Sequence, residues 1–436
     1  MRHPSAASRR LRGEIVARDS VAGHHHHSYH GVAGYEVRSV IASLPGNKES
    51  SLKTHAGSIA FEGGDPPSMP AAFPLAGRRN GFYSASLMST AADRVRGGTK
   101  FSEVLGPIES VLGQVEERLG RQVGSFEPGV SDYVRYALGT QGKRLRPALA
   151  LLGGGACGPI NDYHITLAVI VEMIHLATLV HDDIMDGATM RRHKLTVSAR
   201  WGNEISVLLG DCLFAHALKL ATDFPDMEVC RRIAHATNVV CEGEILQTQR
   251  RFDLELSIED YLKFVEMKTA ELFAVSCELG AFLAGAPAPV KQSLRNYGMA
   301  LGIAYQIYDD CVDIFEQENE AGKSLGTDLN KGKLTLPILT LLRRASETER
   351  DQISIDLTSY SAPGAARLAA LVVKHRTLDA SLEMIEHYLD TALDSLKPLP
   401  ASGFTTALRN LAFFLQSRSL ALSGGSKPAS THAPAH

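Results

Sequence analysis

The chain has 436 residues, is 44% hydrophobic but only 6% aromatic, and carries a formal net charge of -3. That is apolar material for one large core or two smaller ones, and the near-balance of charge removes any bulk electrostatic case for nucleic-acid binding. Six cysteines (Cys157, Cys212, Cys230, Cys241, Cys277 and Cys311) stand singly with no C-x-x-C pair, which favours reduced thiols in the cytoplasm over a disulfide framework or a zinc site.

Residues 1–100 are rich in Ser, Gly, Ala, Arg and His and show no sustained helical or alternating period, so they read as a disordered extension outside the fold. The HHHH tract at 24–27 has no partner ligands at zinc-site spacing, and the Arg-bearing start carries Glu14 and Asp19 without the amphipathic stripe of a transit segment. Translation from Met88 is the alternative start. From 101 to 422 apolar residues recur at three- and four-residue spacings, as in FSEVLGPIESVLGQVEERLG, over 163–181, in YLKFVEMKTAELFAVSCELGAFL and in LRNYGMALGIAYQIYDDCVDIF. Gly and Pro gather only between these segments, and no alternating strand pattern stands out. The reading is a single all-α domain followed by a disordered tail over 423–436. The most apolar run, ITLAVIVEMIHLATLV at 165–180, is interrupted by Glu172 and His175. A core helix is expected there, with no transmembrane segment in the chain and only peripheral membrane contact.

At the end of that run, HDDIMDGATMRR (181–192) crowds Asp182, Asp183 and Asp186 into one helical turn, with Arg191 and Arg192 beyond a Gly-Ala break. Like charges four residues apart repel, and an unpaired carboxylate is costly away from water. Far downstream YQIYDDCVDIF repeats the arrangement with Asp309, Asp310 and Asp313. At the helical period Asp182 and Asp186 share one face, as do Asp309 and Asp313. A lone D-D-x-x-D is as readily a solvated face, but both copies here have apolar flanks, LATLV and AYQIY. Mg²⁺ answers the repulsion: it takes one or two carboxylates and completes its octahedron with water and phosphate oxygens. The carboxylates therefore imply a metal and a phosphorylated ligand together.

Basic residues suit such a ligand. QGKRLRPAL brings Lys143, Arg144 and Arg146; Arg191 and Arg192 follow the first acidic turn; Lys268 precedes Thr269; and GKSLGTDLNKGKLTLP contains Lys323, Asp328 and Lys333. Arg forks match phosphate oxygens bidentately, whereas Lys offers a point charge. Exposed ion pairs contribute only about 0–1 kcal/mol each, so stability alone gives little reason to gather them. The pattern suits two diphosphates, one bridged by metal and one held by cations alone.

These motifs, in order GKRLRP, EMIHLATLVHDDIMDGATMRR, GDCLFAHAL, EGEILQ, KTAELF, YQIYDDCVDI and GKSLGTDLNKGKLTLPIL, resemble the trans-type isoprenyl (polyprenyl) diphosphate synthases over about residues 104–419. The resemblance implies an all-α helical bundle around a deep central cavity, a homodimer, and Mg²⁺-dependent condensation of an allylic diphosphate with isopentenyl diphosphate. Carried over by position, Asp182, Asp186 and Asp309 would hold Mg²⁺, with Asp183, Asp310 and Asp313 in support. Arg191, Lys268, Thr269, Gln306 and Lys333 would contact the allylic diphosphate; Lys143, Arg146, His175 and Arg192 would hold isopentenyl diphosphate. His175 lies on a stripe with Val171, Thr178, Asp182 and Asp186, although a lone histidine in an apolar helix is more often a core residue. Gln141 departs from the glycine common in the family's basic motif, which bears on the shape of that loop.

A growing chain would run back along the helix from Asp182 past Thr178 and Ala177. Short-chain members close the cavity with a bulky aromatic near these positions; both are small here, so a medium to long product is expected, with farnesyl or geranylgeranyl as the shorter alternative. Two rivals stay open. A terpene cyclase needs no cationic second site, and a noncatalytic subunit of a heteromeric synthase usually lacks one or both acidic motifs.

Overall fold

The computed structural model describes residues 101–139, 142–315, 327–359 and 361–424, all within a compact unit running from Asn80 to His436. The expected extension over 1–100, Met88, the histidine tract, Gln141, Lys323 and nearly all of the expected tail lie outside the described residues. In chain order the elements are α1 (Phe101–Val104), α2 (Glu109–Gln122), α3 (Pro128–Leu138), α4 (Leu145–Gly155), α5 (Asp162–Met185), a hairpin of β1 (Met190–Arg191) and β2 (Lys194–Leu195), then α6 (Val197–Trp201), α7 (Asn203–Thr222), α8 (Met227–Gln249) and α9 (Ile258–Val265). A π-helical turn (Glu266–Ala270) leads into α10 (Glu271–Leu283), followed by α11 (Ala288–Phe315), α12 (Thr327–Asn330), α13 (Leu336–Arg344), α14 (Glu347–Thr358), α15 (Ala362–Lys374), α16 (Thr377–Ser395) and α17 (Gly403–Gly424). The all-α architecture is the one expected, and the two-residue strands, paired antiparallel with Met190 opposite Leu195, are the only sheet among the described residues.

The middle of the bundle is built from helices that are apolar on every side. α5 starts at Asn161, whose side chain accepts from the backbone N–H groups of Tyr163 and His164 while the His164 ring bonds back to the Asn161 N–H. That reciprocal cap satisfies donors the first turn cannot use itself. From Leu167 to Val171 no residue of α5 keeps any exposure, and a helix buried all round must be wrapped by others. α10 is similar, with Leu272, Phe273, Ala274 and Val275 enclosed, and it packs on α4, α5 and α11. Burying each large apolar side chain contributes about 1.5–3 kcal/mol. α10 and its π turn thus form a rigid wedge between the two aspartate-bearing helices, α5 and α11.

α5 and α7 are each long and apolar enough, by length and composition, to cross a membrane; 72% of the apolar window of α5 is buried inside the fold, against 39% for α7. The first is the core helix expected at 165–180. The second escaped a search for uninterrupted apolar runs because Asp211 and His216 break it. All six cysteines are free thiols.

Close approach sets the position of the π turn. A Cβ on Gly243 of α8 would stand 2.7 Å from Met267 Cβ and 2.9 Å from the Lys268 nitrogen. On the other side, a Cβ on Gly302 of α11 would lie 2.6 Å from Ala270 Cα. Glycine on both flanks lets α8 and α11 grip the turn at backbone distance, and close-packed interiors leave no slack there.

Candidate active site

The aspartates of the first motif sit at the C-terminal turn of α5, where the helix dipole disfavours negative charge, so they depend on cations brought from elsewhere. In the first motif the three carboxylates divide. Asp183 is 4% exposed and takes Arg191 as partner, Nε to Oδ1 at 2.8 Å. Asp182 and Asp186 share the other face. Burial pushes the Asp182 carboxyl up, with Lys268 and Lys333 pulling against it. Burial acts on Asp186 too, but Lys333, Lys331 and Lys268 together outweigh it and hold the carboxyl below its ordinary range. Lys333 Nζ lies 2.9 Å from Asp186 Oδ1 and 3.1 Å from Oδ2, with Arg251 at 3.5 Å and Lys331 at 3.9 Å.

The second motif is held from the other side. Asp310 is buried and accepts from the Tyr261 hydroxyl at 2.6 Å and from Gln306 Nε2 at 2.8 Å. Burial, then the nearby Asp328, pushes its carboxyl up to about 8. Thr269 Oγ1 donates to Gln306 Oε1 at 2.7 Å, so the π turn connects directly to this motif. Asp313, also buried, accepts from the Asp328 backbone N–H at 3.4 Å. Asp309 is half-buried beside Tyr305, whose phenol is pushed up to about 12 by burial and then by Asp309.

One lysine joins the two clusters through Asp328. Lys333, on Asp186, is also 3.9 Å from Asp328, which in turn binds Asp313. Lys268 pairs with Glu244 of α8 and donates to Gln247 Oε1 at 3.3 Å. Burial works against its charge, yet Asp182 and Glu244 hold it above the usual lysine range. Its neighbour Thr269 reaches the second motif. A π turn shifts the register by one residue, and such bulges recur at functional sites; this one sends Lys268 to Glu244 and Gln247 of α8 and Thr269 to Gln306 of α11. The charge that looks uncompensated in the sequence is therefore met by cations distant along the chain.

The arginine-rich loops also divide their work. Arg144, left-handed at φ 49°, turns onto Glu172 at 2.6 Å and Glu116 at 2.5 Å. Arg146 lies over the Phe273 ring at 4.9 Å, and its Nε has no hydrogen-bond partner among the described residues. Burial holds the Arg146 guanidinium below its usual range. Burial also holds His175 well below the usual imidazole range, helped by Arg146 and Arg192, so it is neutral beside two guanidinium groups. Arg192, though exposed, acts on His175, and Lys143 is exposed as well. Thr178 is half-buried and donates to the His175 carbonyl at 2.7 Å, whereas Ala177 is wholly enclosed. Of that pair only Thr178 keeps surface with which to border a ligand.

Sequence reasoning missed Glu244, Gln247, Arg251, Tyr261, Tyr305 and Lys331. Three of the quoted motifs contained them: EGEILQ places Glu244 and Gln247 one turn apart on α8, YQIYDDCVDI opens on Tyr305, and GKSLGTDLNKGKLTLPIL includes Lys331; nothing in the sequence singled out Arg251 or Tyr261. Among the described residues, no three His, Cys, Asp or Glu side chains converge as a ready cage for a metal.

A family model described as polyprenyl synthetase matches residues 127–369. The chain is 34% identical over 281 residues to octaprenyl diphosphate synthase of Escherichia coli (strain K12), covering 64% of this chain and 86% of the relative. It is 33% identical over 323 residues to heptaprenyl diphosphate synthase component 2 of Bacillus subtilis (strain 168), covering 73% of this chain and 91% of the relative. Among solved structures, a decaprenyl diphosphate synthase from Rhodobacter capsulatus is similar with a TM-score of 0.69 and 34% identity, over 73% of this chain and 99% of that one. A match of this length and identity shows the family: the chain belongs to the polyprenyl synthetases and is an all-α prenyltransferase of the trans-type polyprenyl diphosphate synthases.

Proposed function

We propose that residues 101–422 form a catalytic unit that condenses an allylic diphosphate with isopentenyl diphosphate, with Mg²⁺, to a medium to long polyprenyl diphosphate. The observation that carries this reading is Lys333, which pairs with Asp186 of the first motif and lies 3.9 Å from Asp328, whose backbone N–H donates to Asp313 of the second. The donor set fits a hard divalent cation: Asp182 and Asp186 on one side and Asp309 on the other offer oxygen only, and Mg²⁺ needs one or two carboxylates with phosphate and water completing its shell. When bound, Mg²⁺ supplies charge stabilisation for the departing diphosphate. Lys268 and Lys333, already at the carboxylates, turn their ammonium groups to the allylic diphosphate, with Thr269 and Gln306 as neutral hydrogen-bonding groups. Arg191 releases Asp183 or shares its fork with a phosphate oxygen. Arg146, Arg192 and Lys143 bind the second diphosphate, and neutral His175 donates to it without adding charge to the cluster. Preorganised cations act where charge develops, and holding two substrates in line removes much of the entropic barrier.

The product reading draws on relatives named for heptaprenyl, octaprenyl and decaprenyl products and on the small, half-buried side chain of Thr178, the enclosed Ala177 lending no support. Exposed apolar residues on neighbouring helices, Val207 and Leu208 of α7 and Ile245 of α8, support a homodimer through that face. The relative named component 2 favours a second arrangement, a heteromer with a different partner chain. One assay tests both: purified protein, Mg²⁺, isopentenyl diphosphate and a panel of allylic primers, with product length read by chromatography. Polyprenyl product from the chain alone supports the first arrangement. Turnover only after a partner is added supports the second, and cyclic hydrocarbon from an allylic diphosphate alone overturns both.

A further inference from the structure

Arg191 and Arg192 reach the site on the hairpin, and its geometry is unfavourable in isolation. The two turn residues, Arg192 and His193, have φ of 50° and 62°, the backbone of a tight hairpin turn that Asn and Gly normally occupy. Side chains with a Cβ persist in this region only where the surroundings hold them, and such residues gather at functional sites. The surroundings here are specific. The Tyr136 hydroxyl of α3 donates to the Leu195 carbonyl of β2 at 2.7 Å, and Lys194 Nζ donates to the Gly139 carbonyl at 3.3 Å. Gly142 passes so near the turn that a Cβ there would stand 2.7 Å from Arg192 Nη1.

The Tyr136 ring is itself clamped. It meets Trp201 of α6 edge-on, with centroids 4.9 Å apart at 86°, and Tyr133 meets the same indole at 5.0 Å and 82°. The Arg200 guanidinium lies over Tyr136 at 4.8 Å and over Trp201 at 4.5 Å. Edge-to-face aromatic and cation–π contacts of this kind are directional, so they fix the phenol's aim as well as burying it. The same ring cluster thus joins α3, whose end leads into the Lys143 loop, to the hairpin that carries Arg192.

We propose that Tyr136 is a positioning residue for isopentenyl diphosphate: anchored by Trp201 and Arg200, it fixes the strained hairpin so that Arg192 is held in register with Arg146 and His175. This rests on the reading of that basic cluster as the seat of the second diphosphate. Tyr136 donates to the second strand, next to the turn that carries Arg192, whereas Arg191 on the first strand is tied separately to Asp183, so the larger effect is expected on isopentenyl diphosphate. Tyr136→Phe keeps the ring in its aromatic cage and deletes the anchoring hydrogen bond.

The test compares steady-state kinetics of wild type, Tyr136→Phe and Arg192→Ala, varying each substrate in turn with the other saturating. Tyr136→Phe is expected to raise KM for isopentenyl diphosphate roughly three- to tenfold, as loss of one hydrogen bond would, with kcat and the allylic KM within about twofold of wild type. Arg192→Ala is expected to raise the same KM further. Trp201 is the chain's single tryptophan, so its emission titrated with isopentenyl diphosphate alone gives the same comparison if turnover is too slow to measure. An unchanged KM in Tyr136→Phe beside a raised one in Arg192→Ala overturns the proposal, as does an equal rise in both substrates' KM. If Arg192→Ala itself leaves the isopentenyl diphosphate KM unchanged, the underlying seat is wrong, which is a different failure.

Discussion

Gly243→Ala isolates how far catalysis depends on the seat of the π turn. The added methyl would lie 2.7 Å from Met267 Cβ and 2.9 Å from the Lys268 nitrogen, about 0.7 Å short of ordinary van der Waals contact at 3.4 Å. One neighbour is main chain, so no rotamer change relieves the clash, and α8 and the π turn must separate. Overpacking of this kind costs about 1–3 kcal/mol. The separation draws Lys268 from Glu244 and Gln247 and disturbs the Thr269 to Gln306 bond. A misplacement near 1 Å can lower the rate of a positioned reaction by about a hundredfold. Gly120→Ala in α2 is the control, because nothing lies within 4 Å of its Cβ position and the residue is exposed in a helix. There the same change should stabilise by up to about 1 kcal/mol and leave kcat/KM alone. Urea unfolding and kcat/KM for the two variants make the comparison. Wild-type kcat/KM in Gly243→Ala, or equal effects of the two substitutions on stability, would refute the gripping of the turn.

Three further outcomes follow from the site. Lys333→Met removes the ammonium shared by Asp186 and Asp328, and should raise the allylic KM roughly ten- to a hundredfold, as loss of a hydrogen bond to a charged group does, while the isopentenyl diphosphate KM moves far less; equal effects on both would reject the assignment. Asp310, pushed up to about 8 from 3.8, keeps a proton in the folded state that the unfolded chain gives up. In metal-free protein the stability it contributes is therefore fully present below about pH 4 and is lost as pH rises from about 4 to about 8, at most about 1.4 kcal/mol per pH unit. Unfolding of Asp310→Asn across the same range should lack this decline, and parallel profiles for the two proteins would be the contrary result. Thr178→Phe should fill space behind the first aspartate turn and shorten the product, whereas Ala177→Phe, at an enclosed position, should chiefly destabilise; chromatography of the products beside melting temperatures distinguishes the two, and unshortened product from Thr178→Phe would place the wall elsewhere.

Much of the architecture could be read from local order along the chain. Helix periodicity is a property of neighbouring residues, so the long helices, the shared face of Asp182 and Asp186, and the matching face of Asp309 and Asp313 follow from spacing alone. The buried character of α5 follows from apolar residues on all its sides. Which charge meets which is a different matter, because ion pairs form between residues far apart in sequence. Nothing near Asp183 in the sequence distinguishes it from Asp182, yet Arg191 takes only the former. Arg144 and Arg146 are two residues apart, and one is spent on Glu116 and Glu172 while the other keeps an Nε without a partner among the described residues. The π turn that aims Lys268 and Thr269 at different helices depends on glycines of α8 and α11 that flank it in space. Periodicity survives in one dimension because each turn of helix satisfies itself; the balance of buried charge does not, because it is settled only when distant helices pack and each cation must choose among the carboxylates within its reach.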